Sequence, residues 1–135
     1  MKILDPKENI TGIITLIENA KVFIIFVSPY NYLEGWDKLK RSINEASARG
    51  VKVSWYVRAG EGPNGLEGLN VEVFEVPLLH VKMFFSESEA IISSFHLMNN
   101  PDINWAFAIN NQEEYTDVIN FFERFIKPLA KPFEK

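Results

Sequence analysis

Residues 80–96, HVKMFFSESEAIISSFH, contain two short apolar runs and both histidines of the chain. Val81 to Phe85 and Ala90 to Ser93 have the composition of β-strands, and the polar residues between them, Ser86 to Glu89, are typical of a turn. The stretch therefore predicts a β-hairpin, with one histidine before or at the start of its first strand and the other after its second strand.

The hairpin places residues of related chemistry at one end. His80 and Lys82 are two residues apart, so on a strand their side chains point to the same face. This pair could meet a phosphate, with the imidazole as nucleophile and the ammonium balancing the charge of the non-bridging oxygens. An antiparallel return could bring Ser93, Ser94 and His96 next to the pair. The prediction is one anion-sized site built from two imidazoles, one ammonium and two hydroxyls.

Other interpretations of the same residues stay open at this level. A His-x-Lys pair on an edge strand is more often plain polar surface than a site, judged by spacing alone. An isolated loop histidine such as His96 is usually solvated or hydrogen-bonded locally. Two histidines could also bind a metal ion, but no third ligand stands at a suitable spacing.

Upstream of the hairpin, the chain alternates between helical and strand patterns. Isoleucines at helical spacing follow Pro6, and the β-branched run from Lys21 to Val27 is typical of a strand buried on both faces. A second helix is predicted from about Trp36 to Arg49, with Gly50 as its left-handed terminator. Val51 to Val57 is the next strand. A strand, helix, strand unit favours parallel pairing with a right-handed crossover.

The remaining patterns complete the predicted fold. A glycine-rich loop covers Arg58 to Gly68, and strands are predicted at Asn70 to Val76 and Trp105 to Ile109. Pro128 is expected to end a last helix. The apolar face of that helix consists of Tyr115, Val118, Ile119, Phe122 and Phe125. Residues 1–135 are thus predicted to form one α/β domain with a mixed, largely parallel β-sheet flanked by helices.

The composition excludes several classes of protein. The chain has 135 residues, 47% of them hydrophobic, which is too apolar for a disordered segment. It has no cysteine, so disulfides, thiol nucleophiles and cysteine zinc sites are excluded. A net charge of -4 argues against non-specific nucleic-acid binding over the whole surface, although a local basic groove is compatible with it. Apolar runs are too short for a membrane span and no secretory signal is visible, so we expect a cytoplasmic protein without stable membrane association.

The hairpin resembles the pattern of the phospholipase D (HKD) superfamily, which is His-x-Lys, four residues, Asp, six residues, then Gly-Ser-x-Asn. His80, Lys82 and Ser94 match that pattern directly. Other segments that look like the superfamily are Ala20-Lys21-Val22, Ser28-Pro29-Tyr30 and Ala48-Arg49-Gly50-Val51-Lys52-Val53. The resemblance therefore extends over nearly the whole chain, from about Ile10 to Ile126.

Several positions depart from the pattern. The hairpin is one residue short, so the aspartate position falls on Ser86 or Glu87. The first glycine is Ser93, the asparagine is His96, and the glutamate of the following strand is Ala106. The nucleophile and the phosphate-binding lysine are kept while supporting positions change, and such changes commonly weaken a site rather than abolish its chemistry.

The resemblance implies a metal-independent phosphodiesterase, in particular a nuclease, that needs no cofactor. His80 would attack phosphorus to give a phosphohistidine, with Lys82 and Ser94 as further catalytic residues. Superfamily members use two His-Lys elements around one site, and this chain has one. Similarity to single-motif bacterial endonucleases of the family therefore implies a homodimer with His80 from each chain. The substrate-binding residues are expected to be His96, Ser93, Ser28 and Tyr30.

Two alternatives to a phosphodiesterase of nucleic acids follow from the same resemblance. The chain could be a catalytically degenerate ligand-binding or dimerisation module of the same fold, because its supporting positions are altered. It could also act on lipid phosphodiesters, since the last segment is unusually apolar, although packing against the sheet or a partner chain explains that stripe more simply.

Overall fold

A computed structural model describes residues 1–99 and 102–134 of the protein and shows an α/β fold. Its strands are β1 (Lys2–Ile3), β2 (Phe23–Val27), β3 (Asn31–Tyr32), β4 (Lys52–Arg58), β5 (Glu72–Val76), β6 (Met83–Ser86), β7 (Ala90–Ser93), β8 (Leu97–Met98), β9 (Ala106–Ile109) and β10 (Lys131–Pro132). Its helices are α1 (Asn9–Asn19), α2 (Asp37–Ala48) and α3 (Gln112–Phe121). No helix in the described ranges is both long and apolar enough to cross a membrane.

Eight strands form one sheet in the order β1-β9-β7-β6-β2-β4-β5-β10, while β3 and β8 pair separately. The three strands β2, β4 and β5 are parallel, and β6, β7, β9 and β1 continue the sheet by antiparallel pairing. The predicted mixed α/β sheet flanked by helices is therefore confirmed. The predicted hairpin is also present, since β6 pairs with β7 in the register Met83↔Ile92.

Each face of the sheet carries its own apolar core. One core lies under α1 and α2 and includes Trp55, Phe26 and Phe84, which are fully buried. The other lies under α3 and includes Phe85 and Phe122. Phe84 and Phe85 are consecutive on β6 and enter opposite cores because side chains alternate across a strand. Burial on both faces explains why the central strands are continuous apolar runs.

The helices α2 and α3 end in different ways. Gly50 follows α2 with a φ of 97°, so the predicted left-handed terminator is confirmed. After α3 the backbone changes to a π-helical turn at Phe122–Ile126 and then to a 3-10 turn at Lys127–Leu129. Pro128 lies inside that last turn, where its missing N–H costs no hydrogen bond.

The turn between β6 and β7 holds the start of β2. The Glu87 carboxylate accepts hydrogen bonds from the backbone N–H groups of Lys21 (3.0 Å), Val22 (3.0 Å) and Phe23 (3.2 Å). Burial alone would raise the pKa of Glu87, but these N–H donors outweigh it and lower the pKa below its usual value. Glu87 stands at the far end of β6 from Lys82, so this acidic position supports the sheet.

Glu87→Gln should destabilise the protein at neutral pH by about 1 kcal/mol, because an amide oxygen accepts these bonds less strongly than a carboxylate. A carboxyl whose pKa is lowered on folding stabilises the fold above its unfolded pKa, and that contribution is lost as the pH falls through the folded pKa. Urea unfolding should therefore separate wild type from variant at pH 7 and show little difference near pH 3. Glu89→Gln, on the same turn, is the matched control. An equal loss of unfolding free energy at both pH values would contradict this interpretation.

Candidate active site

His80 and Lys82 lie just before β6, which begins at Met83, whereas the sequence predicted a strand from Val81 that includes Lys82. The difference is small because the antiparallel pairing extends beyond β6. The Lys82 carbonyl accepts from the Ser93 N–H at 3.1 Å, so Lys82 and Ser93 still lie side by side. Arg58, at the carboxyl end of β4, donates to the Leu79 carbonyl at 3.3 Å and holds the backbone before His80.

The two motif side chains contact each other. The distance from Lys82 Nζ to His80 Nε2 is 3.1 Å. An ammonium can only donate, so beside a protonated Lys82 the Nε2 of a neutral His80 ring would accept, and the ring proton would lie on Nδ1. Burial lowers the pKa of Lys82 below its usual value. The arrangement presents an imidazole whose Nε2 lone pair is available, beside a cation that can move to an incoming anion.

The second imidazole lies beside the first, as the predicted antiparallel return requires. The centroids of the His96 and His80 rings are 5.6 Å apart, and those of the Tyr30 and His96 rings are 5.0 Å apart. Burial, followed by the charges of Lys82 and His80, lowers the pKa of His96 from its usual value near 6.5 to about 4. His96 is therefore neutral at physiological pH.

Ser28 supports this arrangement from inside the protein. It is completely buried, and its hydroxyl accepts from the Leu97 N–H at 2.8 Å and donates to the Tyr30 carbonyl at 3.3 Å. Both bonds go to the backbone next to a ring of the site. Ser28 thus fixes His96 and Tyr30 from behind, whereas the sequence placed it on the cleft surface.

The two hairpin serines have different surroundings. The Ser93 hydroxyl donates to the Phe95 carbonyl at 2.9 Å, which closes the turn before His96. Ser94 is exposed, and its hydroxyl accepts from the Trp105 N–H at 2.9 Å. The acceptors of the Ser94 hydroxyl proton, Asn104 Oδ1 and the Trp105 carbonyl, both lie 3.5 Å from Oγ, too far for strong bonds, so this proton remains available to a ligand.

An open groove of about 440 Å³ runs beside the His80–Lys82 pair. It is lined by His80, Val81, Lys82, Met83, Ile92, Ser93, Asp117, Val118 and Phe121. The last three come from α3 and were not predicted as site residues. Of these three residues only Val118 belongs to the apolar face predicted for that helix, and such a face indicates packing and not a groove wall. Two larger cavities, of about 590 and 610 Å³, contain neither histidine.

The site has no cluster typical of a metal centre. Within residues 1–99 and 102–134, no three His, Asp or Glu side chains are grouped so that they could hold a metal ion. The site offers donors instead, among them the Lys82 ammonium and the Ser94 hydroxyl proton. Such donors suit an oxyanion of phosphate size.

Solved structures share this fold over almost its whole length. Nuc from Salmonella typhimurium, a phospholipase D family member, superposes with a TM-score of 0.77 at 11% identity, covering 99% of this chain and 96% of that one. NucT from Helicobacter pylori gives 0.76 at 12% identity, with 98% of each chain covered. Phosphatidylserine synthase from Haemophilus influenzae gives 0.69 at 18% identity, with 97% of this chain but 38% of that one covered. No protein-family model matches the sequence, and no curated protein matches it.

Proposed function

We propose that this chain, which has the phospholipase D-like fold, is a metal-independent phosphodiesterase that acts through a phosphohistidine at His80. The observation that carries the proposal is the 3.1 Å contact between Lys82 Nζ and His80 Nε2 at the edge of an open groove. It combines a nucleophilic lone pair with a cation that can neutralise charge on a phosphoryl group.

The proposed reaction has two steps. A bound phosphodiester draws Lys82 Nζ away from His80 and onto a non-bridging oxygen. His80 Nε2 then attacks phosphorus, the bond from phosphorus to the leaving oxygen breaks, and an imidazolium gives that oxygen a proton. In the second step water attacks phosphorus, the same imidazole takes the water's proton, and the bond from Nε2 to phosphorus breaks.

The imidazolium is proposed to be His80 of a second copy in a twofold homodimer. A twofold interface places the same residues on both sides of its axis, so two copies of the groove can face each other. Two coupled imidazoles then differ in protonation, as the reaction needs. Exposed apolar residues at the α3 wall and beyond it, Phe121, Phe125 and Leu129, are compatible with a covered interface.

Nucleic acid is the substrate class we favour. The hairpin resembles that of single-motif bacterial endonucleases of the superfamily. In addition, Trp105 is 61% exposed and stacks on Phe107, with ring centroids 5.7 Å apart at an angle of 12°. The Trp105 backbone N–H donates to the Ser94 hydroxyl at the end of the hairpin. We propose that the exposed Trp105 ring stacks on a base next to the bound phosphate.

Hydrolysis of a chromogenic phosphodiester in the presence of EDTA tests this proposal. We expect turnover to persist in EDTA, and an alkaline quench during turnover to leave a phosphoryl group on the peptide that contains His80, detected by mass spectrometry. The proposal would be contradicted if turnover were lost in EDTA, or if nucleotide, lipid and simple phosphodiesters all remained unhydrolysed.

The second candidate is an anion-binding module without turnover. It is favoured by the position of Glu87, which is bonded to the backbone at the start of β2, and by His96 in place of the pattern's asparagine. Binding of inorganic sulfate at the site, with no hydrolysis of any diester, is the outcome that would select it.

A further inference from the structure

A cavity of about 610 Å³ lies on the face of the sheet that α3 covers. Its floor is β4, whose residues Lys52, Ser54 and Tyr56 point to this face, because side chains alternate along a strand and the residues between them enter the other core. Phe23 on β2 and Phe74 on β5 flank this row on its two sides. None of the described residues that line this cavity also lines the groove at the candidate active site. The cavity is therefore a separate place where a molecule can bind.

Two hydroxyls at the floor of the cavity have no hydrogen-bond partner. Ser54 and Tyr56 are each 6% exposed, so both are more than nine-tenths buried. Within residues 1–99 and 102–134, neither side-chain hydroxyl is hydrogen-bonded to another group of the protein. A buried polar group without a partner costs free energy, and such groups are few in native proteins. Because both residues line the cavity, a bound molecule can supply the missing bonds.

The Tyr56 side chain is held in one place by its neighbours. Its ring stacks on Phe74, with centroids 4.9 Å apart at an angle of 14°, and meets Phe122 at 4.9 Å and 89°. Burial, followed by the charges of Glu123 and Glu72, raises the pKa of Tyr56, so its hydroxyl keeps its proton at physiological pH. Phe122 is the first residue of the π-helical turn, and such turns are frequent at functional sites. A fixed hydroxyl of this kind loses little freedom when it binds a ligand.

The mouth of the cavity carries balanced charges. Lys52 lies 3.9 Å from a carboxylate oxygen of Glu72, and Lys127 lies 3.3 Å from one of Glu123. A carboxylate or phosphate ligand would have to break one of these ion pairs to reach a cation. A hydrocarbon ligand would leave both hydroxyls at the floor unpaired. The surroundings therefore favour an uncharged ligand with polar groups along one edge.

We infer that this cavity is a second binding site, for a neutral, planar heterocycle of about the size of a purine. The Ser54 and Tyr56 hydroxyls can each donate and accept, which matches a ring edge that has both donors and acceptors. Phe23 and Phe74 offer aromatic surfaces to the body of such a ring. The volume lies within the range of small-molecule sites. The inference uses no group of the candidate active site, so it does not depend on the proposed hydrolysis.

Adenine is the probe, because it is uncharged at neutral pH and has donors and acceptors on its edge. In a proton NMR titration of the full chain we expect saturable binding with a Kd of about 1 mM or below. Tyr56→Phe and Ser54→Ala should each weaken this binding about tenfold, since each removes one hydrogen bond. Tyr32→Phe makes the same change on exposed β3 and should leave it unaltered. Benzoate, which is planar but charged, should bind at least about tenfold more weakly than adenine.

Urea unfolding of the same variants separates ligand binding from a structural role. Because neither hydroxyl is bonded within the protein, Tyr56→Phe and Ser54→Ala should unfold at the same urea concentration as wild type. A lower midpoint, or a variant that does not fold, would show that the hydroxyl serves the fold and would overturn the inference.

Three results of the titration would also overturn it. A cavity that holds only water would show no saturable adenine binding below about 10 mM. Adenine binding that both variants leave unchanged would lie elsewhere, for instance at the exposed Trp105 ring. Benzoate bound as tightly as adenine would show that the mouth accepts anions.

Discussion

His80→Asn should lower the rate of phosphodiester hydrolysis by at least about 10⁴-fold, the largest effect expected of any single change in the protein. The variant keeps a polar side chain of similar size but has no lone pair able to form a bond to phosphorus. His80 is exposed, so the fold should survive the change. Initial rates with saturating chromogenic diester measure the loss, and Glu89→Gln, on the turn at the other end of the hairpin, is the control for a polar substitution outside the site.

Mixtures of wild-type and His80→Asn chains test whether one site uses two copies. The two proteins are unfolded together and refolded, so that chains recombine at random. If each site needs His80 from both chains, activity follows the square of the wild-type fraction, and an equal mixture keeps about a quarter of the activity. A linear decline to one half would show that each chain is complete, and residual activity of His80→Asn near wild type would exclude His80 as nucleophile.

The sequence predicted the central elements because burial produces regular patterns over five or more residues. β2 and β4 are continuous apolar runs that enter two cores, and α2 ends at Ala48, two residues before Gly50, where the backbone is left-handed. The four strands β1, β3, β8 and β10 were missed, since each has only two residues and no periodicity can be recognised at that length. These short strands form because a neighbouring strand has backbone N–H and C=O groups left to pair.

The sequence predicted that the hairpin residues lie close together, but not how the surrounding chain holds them. His80, Lys82 and His96 lie within 17 residues, and a hairpin is enough to bring them together. Ser28 was placed on the cleft, yet it is buried because Leu97, 69 residues further on, lies against it. Contacts over such separations depend on the packing of the whole sheet. The part of the groove that α3 forms also depends on packing between segments far apart in the sequence.

Trp55→Ala should destabilise the protein by about 4 kcal/mol, the largest loss of stability expected from a single truncation. Trp55 is 0% exposed and stacks on Phe26, with ring centroids 4.2 Å apart at an angle of 23°. Removing the indole leaves a cavity between the sheet and the helices above it. Urea unfolding at neutral pH measures the loss, and a value under about 1 kcal/mol would mean that the core collapses around the gap.

Trp55→Phe separates packing from hydrogen bonding at the same position. The indole N–H donates to Asn31 Oδ1 at 3.1 Å, and Asn31 Nδ2 donates to the Ser28 carbonyl at 2.9 Å. Gly65 packs closely against the Asn31 backbone, since a Cβ there would lie 2.0 Å from the Asn31 carbonyl oxygen. Phenylalanine fills most of the space but leaves the partly buried Asn31 Oδ1 without its donor, so we expect a loss of about 2 kcal/mol. Since Asn31 and Ser28 together hold the turn that carries Tyr30, sulfate binding should also weaken in Trp55→Phe. A variant as stable as wild type with unchanged sulfate affinity would show that the core and the anion site are independent.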